Sequence, residues 1–211
     1  MSVEGKFKTD QETFWASDFG NDYISRNKGE LLLASNLNFF VKALKQADKI
    51  NSCHEFGANI GMNLSALKLL YPKAIFSGVE INVEASKVLA ELIGRENVYE
   101  GSIFDYPISN QFDLSLIKGV LIHINPEMLD KVYEKLYEAS KKYILVCEYY
   151  NPSPVEIIYR GHSDKLFKRD FAGELMEKYP DLTLVDYGFS YRKDPSFPQD
   201  DITWFLLEKS A

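Results

Sequence analysis

From residue 52 to residue 150 the chain alternates short apolar runs with amphipathic stretches, and no other feature restricts its possible folds as strongly. The runs 52–56, 74–81, 98–102, 112–119 and 143–150 have the length and composition of buried strands. Residues 61–70 predict a helix stopped before Pro72, and Ala85, Val88, Leu89, Leu92 and Ile93 mark another, closed near Gly94. Asn125-Pro126-Glu127 predicts a helix start: a capping side chain, a proline at the first position and an early acid. Leu129, Val132, Leu136 and Tyr137 continue that helix.

Beyond strand five, an irregular stretch over 151–166 leads to a helix through Phe171 and Leu175 that ends at Pro180. Residues 182–191 and 202–208 predict a hairpin at one sheet edge, joined by a loop rich in Pro and Asp. Upstream, 29–47 places Leu33, Leu37, Phe40, Leu44 and Ala47 on one helical stripe. Residues 11–27 are aromatic, polar and helical in part.

Strand–helix alternation of this kind requires a mostly parallel sheet with helices on both faces. The expectation is an α/β, doubly wound, Rossmann-like sheet of seven strands with the last one antiparallel. No repeat or linker divides residues 1–211, so one domain is expected, with 1–48 as a helical cap and 151–166 as an insertion.

Charge and composition narrow the function. The 24 Lys+Arg against 31 Asp+Glu leave a net charge of −7, which disfavours nonspecific binding to a nucleic-acid backbone. No apolar run approaches the roughly 20 residues needed to cross a bilayer. The start MSVEGKFKTDQE lacks the apolar core of a signal peptide. Cys53 and Cys147 both fall in strand-like runs and read as reduced core residues, not as a disulfide or metal site. A cytoplasmic protein with a small-molecule partner is expected.

Strand one runs directly into Glu55-Phe56-Gly57-Ala58-Asn59-Ile60-Gly61, and a helix follows. Glycine there permits a tight turn and close approach of a ligand to the backbone. A dinucleotide fingerprint would need glycine at 57, 59 and 62, but the chain has Asn59 and Met62, which disfavours a nicotinamide dehydrogenase. The segment instead resembles motif one of the class I S-adenosylmethionine-dependent methyltransferases, an acid followed by G-x-G-x-G, with Asn59 at the middle glycine. Asparagine reaches the left-handed conformation more readily than most residues. The plainer alternative is that Gly57, Gly61 and Glu80 serve only turns and surface polarity.

The resemblance implies S-adenosylmethionine as cofactor and S-adenosylhomocysteine as product. It assigns Glu55, Gly57, Ala58, Asn59 and Gly61 to the first turn. Glu80 and Ile81 follow strand two, where a carboxylate can accept hydrogen bonds from both ribose hydroxyls. Ser102 and Ile103 follow strand three at the adenine, and Lys118 and Gly119 close strand four beside the reactive sulfonium.

Ligands in open α/β sheets sit outside the carboxyl ends of the strands. That rule selects His123 and Asn125, then Glu148, Tyr149, Tyr150 and Asn151, then Tyr191 and Arg192. The insertion adds Tyr159, Arg160 and His162, followed by Lys165, Lys168 and Arg169. Arginine forks bind carboxylate or phosphate bidentately, so this rim suits an anionic acceptor such as a sugar acid or nucleotide sugar. Read plainly, 165–169 is a solvated helix start. His54 lies inside strand one and reads as structural; His123 and His162 are candidates for a catalytic base or an orienting group. Trp15, Phe19, Tyr23 and Arg26 share one helical stripe, which either docks on the core or forms a lid. As a lid it brings Trp15 to the acceptor and Tyr23 and Arg26 to the cofactor.

Taken whole, the chain resembles the methyltransferases associated with pseudaminic acid biosynthesis. The carriers are residues 14–23 (FWASDFGNDY), 55–61, 119–126 (GVLIHINP), 148–152 (EYYNP), 159–162 (YRGH) and 197–201 (FPQDD). The resemblance implies methylation of a nonulosonic-acid sugar or its precursor. Two other readings stay open: methylation of another small metabolite, and a non-catalytic Rossmann-like cofactor-binding protein.

Overall fold

A computed structural model describes residues 7–210; residues 1–6 of the expected cap, and Ala211, lie outside the described residues. Its centre is one seven-stranded sheet. The parallel strands are β1 (Ser52–Phe56), β2 (Ile75–Glu80), β3 (Val98–Glu100), β4 (Phe112–Lys118) and β5 (Ser140–Glu148). Two short strands, β6 (Val155–Glu156) and β7 (Phe167–Lys168), form a separate hairpin. β8 (Leu182–Ser190) and β9 (Ile202–Lys209) complete the main sheet, in the order β3-β2-β1-β4-β5-β9-β8. β9 runs antiparallel to both its neighbours, β5 and β8, so the expected seven-stranded sheet with an antiparallel last strand is the one observed.

The central strands are buried on both faces. Leu114, Leu116, Leu145 and Cys147 join a core under α3 (Glu30–Ala43) and α4 (Met62–Leu70). Ile117, Ile144 and Val146 join the opposite core under α6 (Leu129–Ala139) and α7 (Phe171–Lys178). α5 (Val83–Ile93) packs beside β2 and β3. Cys53 and Cys147 are buried and free. Among the described residues no helix is long and apolar enough to cross a membrane.

Local details differ from expectation where side chains compete for the backbone. Proline at 126 opens a 3-10 turn, Pro126–Met128, and the α-helix proper starts only at Leu129. β3 stops at Glu100, because Ser102 caps a 3-10 turn, Ile103–Asp105, by accepting from the Phe104 N–H. β5 starts three residues earlier than expected and ends at Glu148, leaving Tyr149 and Tyr150 beyond it. The insertion expected to be irregular contains β6, which pairs with β7 just beyond its end.

The aromatic segment forms two helices, α1 (Asp10–Trp15) and α2 (Asp18–Arg26), broken at Ser17. Gly20 makes the turn between them possible: a Cβ there would stand 2.0 Å from the Trp15 carbonyl oxygen. The aromatic stripe survives the break, with Trp15 centred 5.4 Å from Phe19 and 5.2 Å from Tyr23.

Candidate functional site

The carboxyl ends of β1, β2, β3 and β4 meet in one cavity, roofed by α1 and α2. Its floor is the turn after β1. Gly57 has φ +74°, and a Cβ there would press within 2.6 Å of Val120 Cγ2, so the β1 and β4 turns meet only because this position is glycine. Asn59 takes the left-handed conformation expected of it, at φ 48°. Gly57, Ala58 and Asn59 line the cavity, as do Glu80, Ile81, Ser102, Ile103, Lys118, Gly119 and His123. Trp15 and Tyr23 close it from above.

Glu80 organises the floor more than expected. Its Oε2 accepts the Asn59 N–H at 2.7 Å and its Oε1 accepts the Asn82 N–H at 2.7 Å. Burial raises its pKa against those hydrogen bonds. The carboxyl therefore ties the β1 turn to the β2 end, and each oxygen keeps lone-pair capacity toward the cavity. Asn82 continues upward: its side-chain amide donates to Asn21 Oδ1 at 2.9 Å, joining the roof to the sheet.

Several expected cofactor residues stand behind the wall and do not form it. Glu55 is fully buried below the turn, accepting from Asn63 Nδ2 at 2.6 Å, while its Oε2 has no partner among the described residues. Burial raises its pKa to about 8, so it is mostly uncharged at neutral pH. Gly61 is the left-handed N-cap of α4. Arg26 is exposed and stacks over Phe19 and Tyr23 instead of reaching inward.

At the β4 end, Lys118 lies 5.4 Å over the Phe39 ring. Burial lowers its pKa, opposed by the nearby Cys147, Glu55, Asp200 and Glu148. His123 lies under Trp15 and Tyr159, at ring distances of 4.7 and 5.0 Å. Burial moves its pKa down to about 4. His54, by contrast, is structural: it stacks between Tyr106 and Phe112 inside the core, with burial pushing its pKa down to about 3.

The expected acceptor rim divides into three parts. Glu148 does not belong to it: the side chain is buried, and its carboxyl accepts the N–H groups of Val120 at 3.0 Å and Leu121 at 2.9 Å. Burial raises its pKa to about 7. Glu148 thus holds the turn that carries His123. Arg169 is also redirected, pinned by Glu174 at 2.6 Å on a shallow surface cleft with Asp130, Tyr133 and Lys178. Tyr150 packs at a tilt against Phe205, Tyr191 does so against Phe189, and Asn151 donates to the Ser153 carbonyl; none lines the cavity.

The third part gathers above the roof. Tyr159 packs on His123 and Phe19, and His162, though exposed, packs on Phe14 and Phe19. Tyr23 and Tyr149 have raised pKa values, Tyr23 about 12, chiefly through burial. Over these rings lie Arg26 on Tyr23, Arg160 on Tyr159, Lys165 on Phe14 and Lys168 on Tyr149, each within 6 Å. Among the described residues none of these four cations has a carboxylate within ion-pair distance.

Sequence reasoning missed Thr9 at the cap of α1, Gln11 and Glu12 on α1, Asn27 and Asn36 on the α2–α3 side, and Asn63 and Asn82 on the floor. For α1 a signal existed, the Thr9-x-x-Glu12 capping box that fixes its first turn. Asn36 is placed by Gln199 of the β8–β9 loop, which donates to its Oδ1 at 2.8 Å, a contact no local pattern encodes.

No protein-family model and no curated protein matches the chain. Solved structures do. The 1,6-didemethyltoxoflavin-N1-methyltransferase of Burkholderia thailandensis, with 1,6-didemethyltoxoflavin and S-adenosylhomocysteine bound, superposes with a TM-score of 0.68 at 15% identity, covering 99% of this chain and 94% of that one. Magnesium protoporphyrin IX methyltransferase from Synechocystis, with S-adenosylhomocysteine bound, gives 0.66 at 13%, covering 95% and 100%. Mitomycin 7-O-methyltransferase gives 0.65 at 14%, covering 96% of this chain, which spans 61% of that enzyme's length. Identities this low establish architecture alone, and that architecture is the class I methyltransferase fold.

Proposed function

We propose that the protein is an S-adenosylmethionine-dependent methyltransferase acting on a small anionic acceptor of the sugar type. The observation that carries this is the cavity at the carboxyl ends of β1, β2 and β4, floored by the Gly57 turn and Glu80 and open toward His123. The donor set fits the cofactor. Glu80 offers acceptor capacity for the ribose hydroxyls, Ile81 and Ile103 offer apolar contact for the base, and Lys118 offers a cation for the amino-acid carboxylate. Solved structures of the same fold hold S-adenosylhomocysteine.

When bound, S-adenosylmethionine supplies an electrophilic methyl group. The chain's own part is to position the acceptor beside it and to take the acceptor's proton. His123 suits the second task, since its Nδ1 faces the Lys165 carbonyl and its Nε2 keeps a lone pair. The unpaired Arg26, Arg160, Lys165 and Lys168 favour an anionic acceptor, and with the pseudaminic-acid resemblance they favour a nonulosonic acid or its nucleotide-linked precursor. Residues 11–27 act as the lid and 151–166 as the acceptor-side insertion of a single cytoplasmic domain.

Two measurements test this. Calorimetry is expected to show S-adenosylhomocysteine binding and far weaker binding of NAD; the reverse order overturns the cofactor assignment. A methyl-transfer screen against nonulosonic acids and nucleotide sugars, read by mass, is expected to give a gain of one methyl group. Transfer only to uncharged metabolites overturns the acceptor class, and cofactor binding without turnover on any acceptor leaves a non-catalytic binding protein.

A further inference from the structure

α1 brings two buried, unsatisfied acceptors to the cavity. Glu12 is 7% exposed, and its Oε2 accepts the backbone N–H groups of Lys8 and Thr9, both at 2.8 Å, and the Thr9 hydroxyl at 3.1 Å. Its Oε1 is buried, has no partner among the described residues, and belongs to a side chain lining the cavity. Gln11 repeats the pattern: Nε2 donates to the Asp164 carbonyl at 2.9 Å, while a buried Oε1 has no partner among the described residues. A buried acceptor without a donor costs free energy unless something arrives to satisfy it.

The position of Glu12 narrows what arrives. Lys8, whose backbone bonds Glu12, also reaches Asp105 with its ammonium, so the first turn of α1 sits against the segment after β3. That segment, Ser102 to Phe104, lines the end of the cavity where the proposed cofactor's base lies. Other candidates there are occupied. The Ser102 hydroxyl accepts the Phe104 N–H, Asp105 stands outside the cavity against Lys8, and Glu80, which ties the Asn59 and Asn82 N–H groups, is the acceptor assigned to the ribose.

We infer that Glu12 Oε1 accepts a hydrogen bond from the exocyclic 6-amino group of the bound purine, so that a helix of the roof reads the base. This rests on the S-adenosylmethionine reading. A 6-amino purine offers two N–H donors at that edge, whereas a 6-oxo purine turns carbonyl lone pairs toward the carboxyl oxygen. A site built around a buried acceptor rejects a ligand that cannot donate to it far more strongly than an apolar pocket rejects a change of shape.

The test is calorimetry with S-adenosylhomocysteine and its 6-oxo counterpart, S-inosylhomocysteine, on the full chain and on Glu12→Gln. Glutamine is accepted at this place in a capping box, so the variant keeps α1 while offering an amide N–H₂ to the cavity. Circular dichroism checks that both forms are folded. The expected result is a preference of at least about tenfold for the adenine ligand in the wild type, lost or reversed in Glu12→Gln. An equal ratio in the two proteins, or a wild-type ratio within threefold, overturns the inference; a contact to the ligand's amino-acid ammonium would produce the first of these. No binding of S-adenosylhomocysteine to the wild type overturns the cofactor reading itself, a result distinct from either.

Discussion

The Nδ1 of His123 lies 2.6 Å from the backbone carbonyl oxygen of Lys165, across 42 residues of chain. A carbonyl can only accept, so Nδ1 carries the proton and Nε2 is the basic nitrogen. The β6–β7 insertion thereby selects the tautomer of a side chain that belongs to the β4 turn.

His123→Gln is expected to lower kcat roughly 10²- to 10⁴-fold while leaving S-adenosylhomocysteine affinity within a few-fold. With its pKa brought down to about 4, the wild-type base stays unprotonated through neutral pH, and kcat/KM falls only as pH drops through about 4. Stability follows the same group. The unfolded imidazole, near pH 6.5, binds its proton first, so this contribution is complete above 6.5 and is lost as pH falls toward 4. Chemical unfolding at stepped pH should show a shallower acid slope in the variant. An unchanged kcat removes His123 from the chemistry.

Glu80→Ala is expected to weaken cofactor binding and, in addition, to lower stability. It removes the acceptor of the Asn59 and Asn82 N–H groups, and an unpaired buried donor costs about 1–3 kcal/mol. Thermal melts and calorimetry on one sample separate the two effects. A lowered melting temperature with unchanged affinity would mean that the ribose is held elsewhere.

Glu148→Ala is expected to cost stability of similar size, since Val120 and Leu121 lose their acceptor, and to lower kcat more than it raises either KM. The effect passes through the turn, because His123 lies two residues beyond Leu121. Steady-state kinetics decide it: a loss confined to acceptor KM would return Glu148 to the acceptor rim.

Arg160→Ala and Arg169→Ala are expected to differ. Arg160, over Tyr159 without an ion partner, should raise the KM of an anionic acceptor severalfold and that of a neutral analogue little. Arg169, paired with Glu174 on another surface, should leave both values unchanged. Equal losses for charged and neutral acceptors in Arg160→Ala would reduce the cations above the roof to solvated charge.

The central strands were legible because they are buried on both faces, so each reads as a largely apolar run bounded by turn residues. The β1 turn was legible for a related reason: few residues other than glycine and asparagine tolerate the positive φ found at 57, 59 and 61. Residues that exchange one partner for another were not legible. An acid ending a strand looks the same whether it meets a ligand, as expected of Glu148, or caps three residues of the next turn. Arg169 looked like its neighbours Lys165 and Lys168 until α7 placed Glu174 beside it. The Trp15-to-Arg26 spacing fitted one helix, although Ser17 followed by Asp18 is itself a helix start.

Among the described residues, every one that lines the cavity falls between Thr9 and Ile124. The remaining chain holds that lining from outside, through Glu148 on Val120, the Lys165 carbonyl on His123, the Asp164 carbonyl on Gln11 and Gln199 on Asn36. The lining and the cations of the insertion, Arg160 and Lys165, thus come from separate stretches of one polypeptide. On the proposed reading, a substitution at an exposed insertion cation such as Arg160 can alter acceptor preference without replacing any residue that lines the cavity.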